Sequence, residues 1–134
     1  MTMSHRASLD RVLTRPQTSV RSAMEAIDRS GTRGVIVVDD DGELLGIVMD
    51  SDIRRAILRN TSLDLPVRTI MKAAVFTLPS DASSAEQQRL LMQSGKLLAP
   101  VIDEARRVVS FMTIEDALAS VGGATASLQL TCTR

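Results

Sequence analysis

Apolar positions along this chain change period several times, and the changes occur twice in the same order. Leu9, Val12 and Leu13 form a short apolar lead-in closed by Pro16. Val20, Ala23, Met24 and Ile27 then recur at i, i+3, i+4 and i+7, the stripe of an amphipathic helix. Thr18 or Ser19 can cap it, and Ser30-Gly31 ends it. Residues 35–38 are an unbroken β-branched run, which predicts a strand covered on both faces. Asp39-Asp40-Asp41-Gly42 is a hairpin signal, and residues 44–49 are the returning strand. Residues 50–60 read as a helix with acids in its first turn and Arg54, Arg55 and Arg59 further along, in the order its dipole favours. A connector containing Pro66 follows at 63–71.

The second half repeats this grammar 64 residues later. Ser30-Gly31 becomes Ser94-Gly95, Val37-Val38-Asp39 becomes Val101-Ile102-Asp103, and Asp52 becomes Asp116. The predicted elements are an extended segment at 74–78, a helix at 83–94, strands at 98–102 and 108–112, and a helix from Thr113. A duplication without insertion is the simplest account. One departure stands out: Gln87 and Gln88 replace Ala23 and Met24 on the nominal core face. Buried amides need hydrogen-bond partners, so these two either find them or lie near a surface.

Composition removes several functions. At 134 residues the chain can build one compact domain, whereas each half alone would be marginal, so a shared core is expected. Sixteen basic residues balance sixteen acidic ones, giving no electrostatic footprint for nucleic acid or membrane. With no Trp or Tyr, and only Phe76 and Phe111, an aromatic platform for stacking bases is nearly excluded. The single cysteine, Cys132, rules out disulfide frameworks and Cys-based zinc sites. The single histidine, His5, falls in a terminal stretch expected to fray. No segment has transmembrane length and the start is too polar for a signal peptide, so a soluble cytoplasmic protein is the default. No nucleophile elbow, Cys–His pair or metal cluster is present, so catalysis is not expected. Asp39, Asp40 and Asp41 are explained by turn chemistry, since the other ligands of a calcium loop are missing. Arg106-Arg107 is expected to be an exposed turn, and seven methionines point to adaptable packing.

The order strand–helix–strand–strand–helix, with "GIVMDSDIRRA" at 46–56 and "SFMTIEDAL" at 110–118, resembles a tandem pair of cystathionine-β-synthase (CBS) domains, a Bateman module. The family pattern is Gly-apolar-apolar-Thr-x-x-Asp-apolar. The first copy has Met49 for the Thr, and the second has Ser110 for the Gly but keeps Thr113 and Asp116. The resemblance covers about residues 9–120. The lead-in and connector are similar to those of the CBS pair preceding the catalytic domain of bacterial sugar-phosphate nucleotidyltransferases, although no Gly-rich nucleotidyltransferase loop is present here. The resemblance implies an α+β fold of two intertwined β-α-β-β-α units packed sheet to sheet. The first repeat would span 9–72 and the second 73–121, with flexible termini at 1–8 and 122–134.

It also implies a ligand, an adenine nucleotide such as AMP, ADP or ATP, with no further cofactor required. Asp52 and Asp116 would hold ribose, and Thr113 would contact ribose or phosphate. Adenine would lie against Val75 to Thr77 and against Leu97, Leu98 and Pro100, while Arg54 and Arg55 could neutralise phosphate. Each feature has a plainer reading. Thr113-x-x-Asp116 is also a helix cap, and the Arg run is also a solvated helix face. The expected function is nucleotide sensing that modulates an attached or associated enzyme. Its rivals are a dimerisation module with vestigial clefts and a piece of a nucleotidyltransferase. A homodimer is expected through helices 50–60 and 113–121, whose apolar faces are Ile53, Ala56, Ile57 and Ile114, Ala117, Leu118, Val121. Because Met49 offers no hydroxyl and Asp50 adds charge, one tight ligand per chain is expected, in the cleft of Asp116.

Overall fold

The computed structural model describes residues 9–121. The expected flexible termini, with His5 and Cys132, lie outside the described residues. Two three-stranded sheets form, one per repeat, with helices on their outer faces. In the first sheet β1 (Leu13–Thr14) runs parallel to β2 (Gly34–Val38), which pairs antiparallel with β3 (Leu44–Met49). In the second, β4 (Leu78–Pro79) runs parallel to β5 (Leu98–Ile102), and β5 pairs antiparallel with β6 (Val108–Thr113). Residues 9–12 are helical and lead into β1, and the longer helices are α1 (Val20–Ser30), α2 (Asp50–Leu58), α3 (Ser84–Ser94) and α4 (Ile114–Val121), with a 3-10 turn at Val67–Thr69. The α+β expectation holds.

Local chemistry sets the helix ends. Ser19, not Thr18, caps α1: its hydroxyl accepts from the Ser22 N–H at 3.1 Å. Ser83, 64 residues on, caps α3 by accepting from the Glu86 N–H. Gly31 and Gly95 end these helices in the left-handed conformation, where glycine has no Cβ penalty. The amides of the second repeat find different solutions. Gln87 donates to the Pro79 carbonyl at 2.8 Å and thereby ties α3 to β4, while Gln88 stays half-buried.

Most boundaries fall within a residue of expectation, and three differences have a clear cause. The helix expected at 50–60 stops at Leu58, because Asn60 turns left-handed (φ 61°) and the Thr61 N–H bonds back to the Ala56 carbonyl. Thr113 is the last strand residue and the helix cap, so α4 begins at Ile114. The extended segment at 74–78 shrinks to Leu78–Pro79. Lys72 is still bridged to Ile47 of the first sheet, so residues 73–77 cross between sheets without a ladder partner.

The sheets face each other over one core. Val12, Ile36, Val38, Leu44 and Ile47 of the first repeat pack with Leu98, Val108 and Phe111 of the second. The hairpins also pair: the Leu44 N–H donates to the Arg106 carbonyl and the Val108 N–H to that of Gly42, at 2.9 and 3.0 Å. Half of each repeat's sheet is therefore covered only by the other repeat, as the size argument required. A second core of similar size lies under α1 and α2 (Val20, Ile27, Val48, Ile53), and a smaller one under α3 and α4 (Leu78, Leu91, Val101, Ala117).

Candidate nucleotide site

Both motif aspartates occupy the third position of a helix, and both carboxylates reach back to the N–H of the residue before it. There the likeness ends. Asp52 Oδ2 accepts from the Met49 N–H at 2.8 Å, and in return the Asp52 N–H meets only the Met49 thioether, a weak acceptor in place of a hydroxyl. The other oxygen, Oδ1, lies 3.3 Å from the Arg55 guanidinium and 3.4 Å from Lys72 Nζ. Asp52 is 6% exposed and is the buried charged residue of the described chain. Its carboxylate thus joins the start of α2, the next turn of that helix and the connector between repeats. A charge this buried is tolerable only with such partners.

Asp116 is solvent-exposed. Its Oδ2 accepts from the Thr113 N–H at 3.3 Å, and the Thr113 hydroxyl accepts from the Asp116 N–H at 3.1 Å, a complete capping box. The Ile114 N–H donates to the Leu97 carbonyl at 2.8 Å, and Leu98 is the register partner of Thr113. Leu97, Leu98, Thr113 and Asp116 therefore come together at one end of the second sheet. Leu97 is exposed there, whereas Leu98 and Pro100 are buried, Pro100 opposite Phe111.

The remaining sequence candidates are dispersed. Val75 is half-buried against the shared core. Thr77 lines a cavity of about 520 Å³ with Ile102, Asp103 and Glu104, at the hairpin end of β5. That is roughly 13 Å along the strand from the Thr113 end. Arg54 is exposed, and Arg55 is engaged with Asp52. Asp39 accepts from the Asp41 and Glu43 N–H groups, both at 2.9 Å, which is the turn chemistry read from the sequence. Among the described residues no group of three or more acidic, His or Cys side chains is placed to hold a metal.

Three residues at the site were not singled out by sequence. Lys72 is one. The others are Arg33, just before β2, and Glu115, in the first turn of α4. The Arg33 guanidinium donates to one carboxylate oxygen of Glu115 from Nη2 at 2.7 Å and Nε at 3.1 Å, across the two repeats. That hydrogen bond, aided by the Arg33 charge and a backbone contact and opposed by partial burial, holds the Glu115 carboxyl below its usual pKa. A signal existed: 64 residues away, Arg33 meets Leu97 and Glu115 meets Ser51, so both charges break the internal repeat.

Comparison with known proteins bears on the family and the fold. Residues 8–59 match the family model of the CBS domain. The arabinose 5-phosphate isomerase GutQ of Escherichia coli O6:H1 is 31% identical over 98 residues, which are 73% of this chain and 30% of that enzyme. The inosine-5'-monophosphate dehydrogenase of Halobacterium salinarum is 29% identical over 107 residues, 80% of this chain and 21% of that one. The chain thus spans under a third of these relatives. They are an isomerase and a dehydrogenase, where the sequence resemblance pointed to a nucleotidyltransferase. Among solved structures, the CBS domain pair of protein MJ0100, in complex with 5'-methylthioadenosine and S-adenosyl-L-methionine, superposes with a TM-score of 0.72 at 26% identity, covering 84% of this chain and 88% of that one. The cytosolic domain of the magnesium channel MgtE in complex with ATP gives 0.66 at 25% identity, covering 81% and 44%.

Proposed function

Because this chain is a CBS domain pair, a regulatory and non-catalytic unit, we propose that it senses an adenine nucleotide (AMP, ADP or ATP) bound beside Thr113 and Asp116. The observation that carries this reading is the contrast in exposure between the two motif acids. Asp116 stands in solvent at a helix start whose cap is complete, where a carboxylate can accept both ribose hydroxyls. Asp52 is buried and committed to Arg55 and Lys72. One ligand per chain follows. Leu97 and Leu98 offer the apolar wall nearest to Asp116, and the adenosine ligands of the MJ0100 pair support the ligand class.

The enzyme answering to this module is proposed to act on sugar phosphates. That class covers both the nucleotidyltransferases of the sequence resemblance and the isomerase relative. Occupancy would bias it through unequal affinity for two arrangements. Two copies are proposed to meet along α2 and α4. Ile53, Ala56 and Ala117 are consumed by the chain's own core, so Ile57, Leu58 and Leu118 would form the contact, at 46%, 76% and 42% exposed. These exposed side chains also favour the second reading, a dimerisation module with an empty cleft. Among the described residues no helix is long and apolar enough to cross a membrane. We place the module in the cytoplasm, where its nucleotide would be.

Calorimetry with AMP, ADP, ATP and S-adenosylmethionine tests the proposal, followed by the 2'-deoxy form of whichever nucleotide binds. A carboxylate that reads both hydroxyls predicts a loss of roughly 1.5–3 kcal/mol, about ten-fold or more, for the deoxy compound. Equal affinities would remove Asp116 from ribose recognition. A stable dimer that binds none of the four would favour the second reading.

A further inference from the structure

Glu115 lies between the two residues that would hold the nucleotide, and it carries a negative charge toward the same solvent. An anionic group arriving at the first turn of α4 would meet that charge. Glu115 is instead occupied by Arg33, a residue of the other repeat. The Arg33 side chain starts from a fixed point, since its own carbonyl accepts from the Asp50 N–H at 2.8 Å at the start of α2. Arg33 is therefore anchored to one helix start and ion-paired at the other.

We propose that Glu115 is an internal counter-ion for Arg33, and that a phosphate-bearing ligand at Asp116 displaces it and takes over the guanidinium. This rests on the nucleotide reading of the Asp116 cleft given above. The relevant magnitudes favour exchange. Arg33 and Glu115 side chains are 53% and 57% exposed, so their pairing is screened and stabilises little. A guanidinium fork accepts a phosphate at least as well as a carboxylate, with two parallel donors to two oxygens. Exchange thus costs little and adds a contact that a neutral ligand cannot make. It also replaces a direct side-chain tether between the repeats with one that runs through the ligand, so occupancy is communicated to their arrangement. The consequence is selectivity set from outside the family motif: Glu115 disfavours anionic ligands, Arg33 favours them, and each acts through the other.

Titration of the whole chain with AMP and with adenosine, its neutral analogue, reads this as a ratio of affinities. Glu115→Gln is expected to raise the AMP-to-adenosine ratio about five-fold by removing the competitor. Arg33→Met is expected to lower it about ten-fold while changing adenosine binding little. The decisive variant is Glu115→Gln in the Arg33→Met background, where the gain should shrink to about two-fold or less, the screened repulsion of an exposed carboxylate. The proposal is overturned if AMP binds but Glu115→Gln leaves the ratio unchanged, or if the full gain of about five-fold persists without Arg33. Binding of neither compound to the wild type or any variant would overturn the nucleotide reading and this inference together. Circular dichroism of each variant checks the fold, which exposed positions are expected to leave intact.

Discussion

The two helix starts, at Met49–Asp52 and at Thr113–Asp116, share a backbone and differ in what their carboxylates do. In the first repeat the acid is drawn inside. The connector passes so close that a Cβ on Gly46 would sit 2.7 Å from the Lys72 carbonyl and 2.9 Å from Met71 Sδ. That approach places Lys72 beside Asp52 and turns the motif acid into a brace. Met49, where the family has Thr, packs against the core shared by the sheets. In the second repeat Ser110 replaces the glycine and is half-buried, Thr113 completes the cap, and Asp116 faces solvent. Duplication supplied two equal positions. The first became a structural joint, because the connector that ties the repeats together passes beside it.

The sharpest way to break this comparison is to remove each acid. Asp116→Ala is expected to lower nucleotide affinity at least ten-fold while costing about 1 kcal/mol of stability, the value of one lost cap. Asp52→Ala should leave affinity within about three-fold but cost about 2 kcal/mol, since a cap and two ion-pair contacts go together. Calorimetry with urea unfolding measures both, and a reversed pattern would make Asp52 the ligand residue.

Exchanging the residues at the motif glycine comes next. Gly46→Ser, which copies the second repeat into the first, forces side-chain atoms against the Lys72 carbonyl and should cost about 2–3 kcal/mol. Ser110→Gly should cost under about 1 kcal/mol, the backbone entropy of a strand glycine. Similar losses at both positions would mean that the connector does not enforce the glycine.

The hairpins give a smaller contrast. Gly42 (φ 85°) and Arg106 (φ 65°) hold the same left-handed place in the two turns. Gly42→Ala should destabilise by about 1 kcal/mol. Arg106→Gly should be neutral or stabilise by a few tenths of that, because relief of strain is offset by unfolded-chain entropy. Thermal melts of the two variants should therefore move in opposite directions or differ clearly in size.

The smallest expected effect is that of pH. The folded-state pKa of Glu115 is depressed, so its contribution to stability is present above the unfolded value, near 4.5, and is lost as pH falls through the lower folded value. Glu115→Gln should lower stability slightly at neutral pH, and the difference should vanish as pH falls through that acidic window. The pair's exposure keeps the difference small, and salt should shrink it further. A profile identical to that of the wild type would show that Arg33 and Glu115 are not paired in solution.

The repeat, the order of elements and the chemistry of their ends were legible in the chain alone. Those features are local: Ser19 and Ser83 cap, Gly31 and Gly95 turn, and Val35 to Val38 can only be a buried strand. A 64-residue offset then doubles each signal and makes it legible twice. The equivalence of Asp52 and Asp116 was equally legible, but their difference in exposure was not, because burial is not a local property. Whether a carboxylate lies in water or between two cations depends on where a connector 20 residues downstream crosses the sheet. Likewise Arg33 and Glu115 stand 82 residues apart; each breaks the internal repeat, but the sequence does not say that they pair. Only the closing of one sheet over the other, driven by the core that neither repeat can bury alone, decided that they meet.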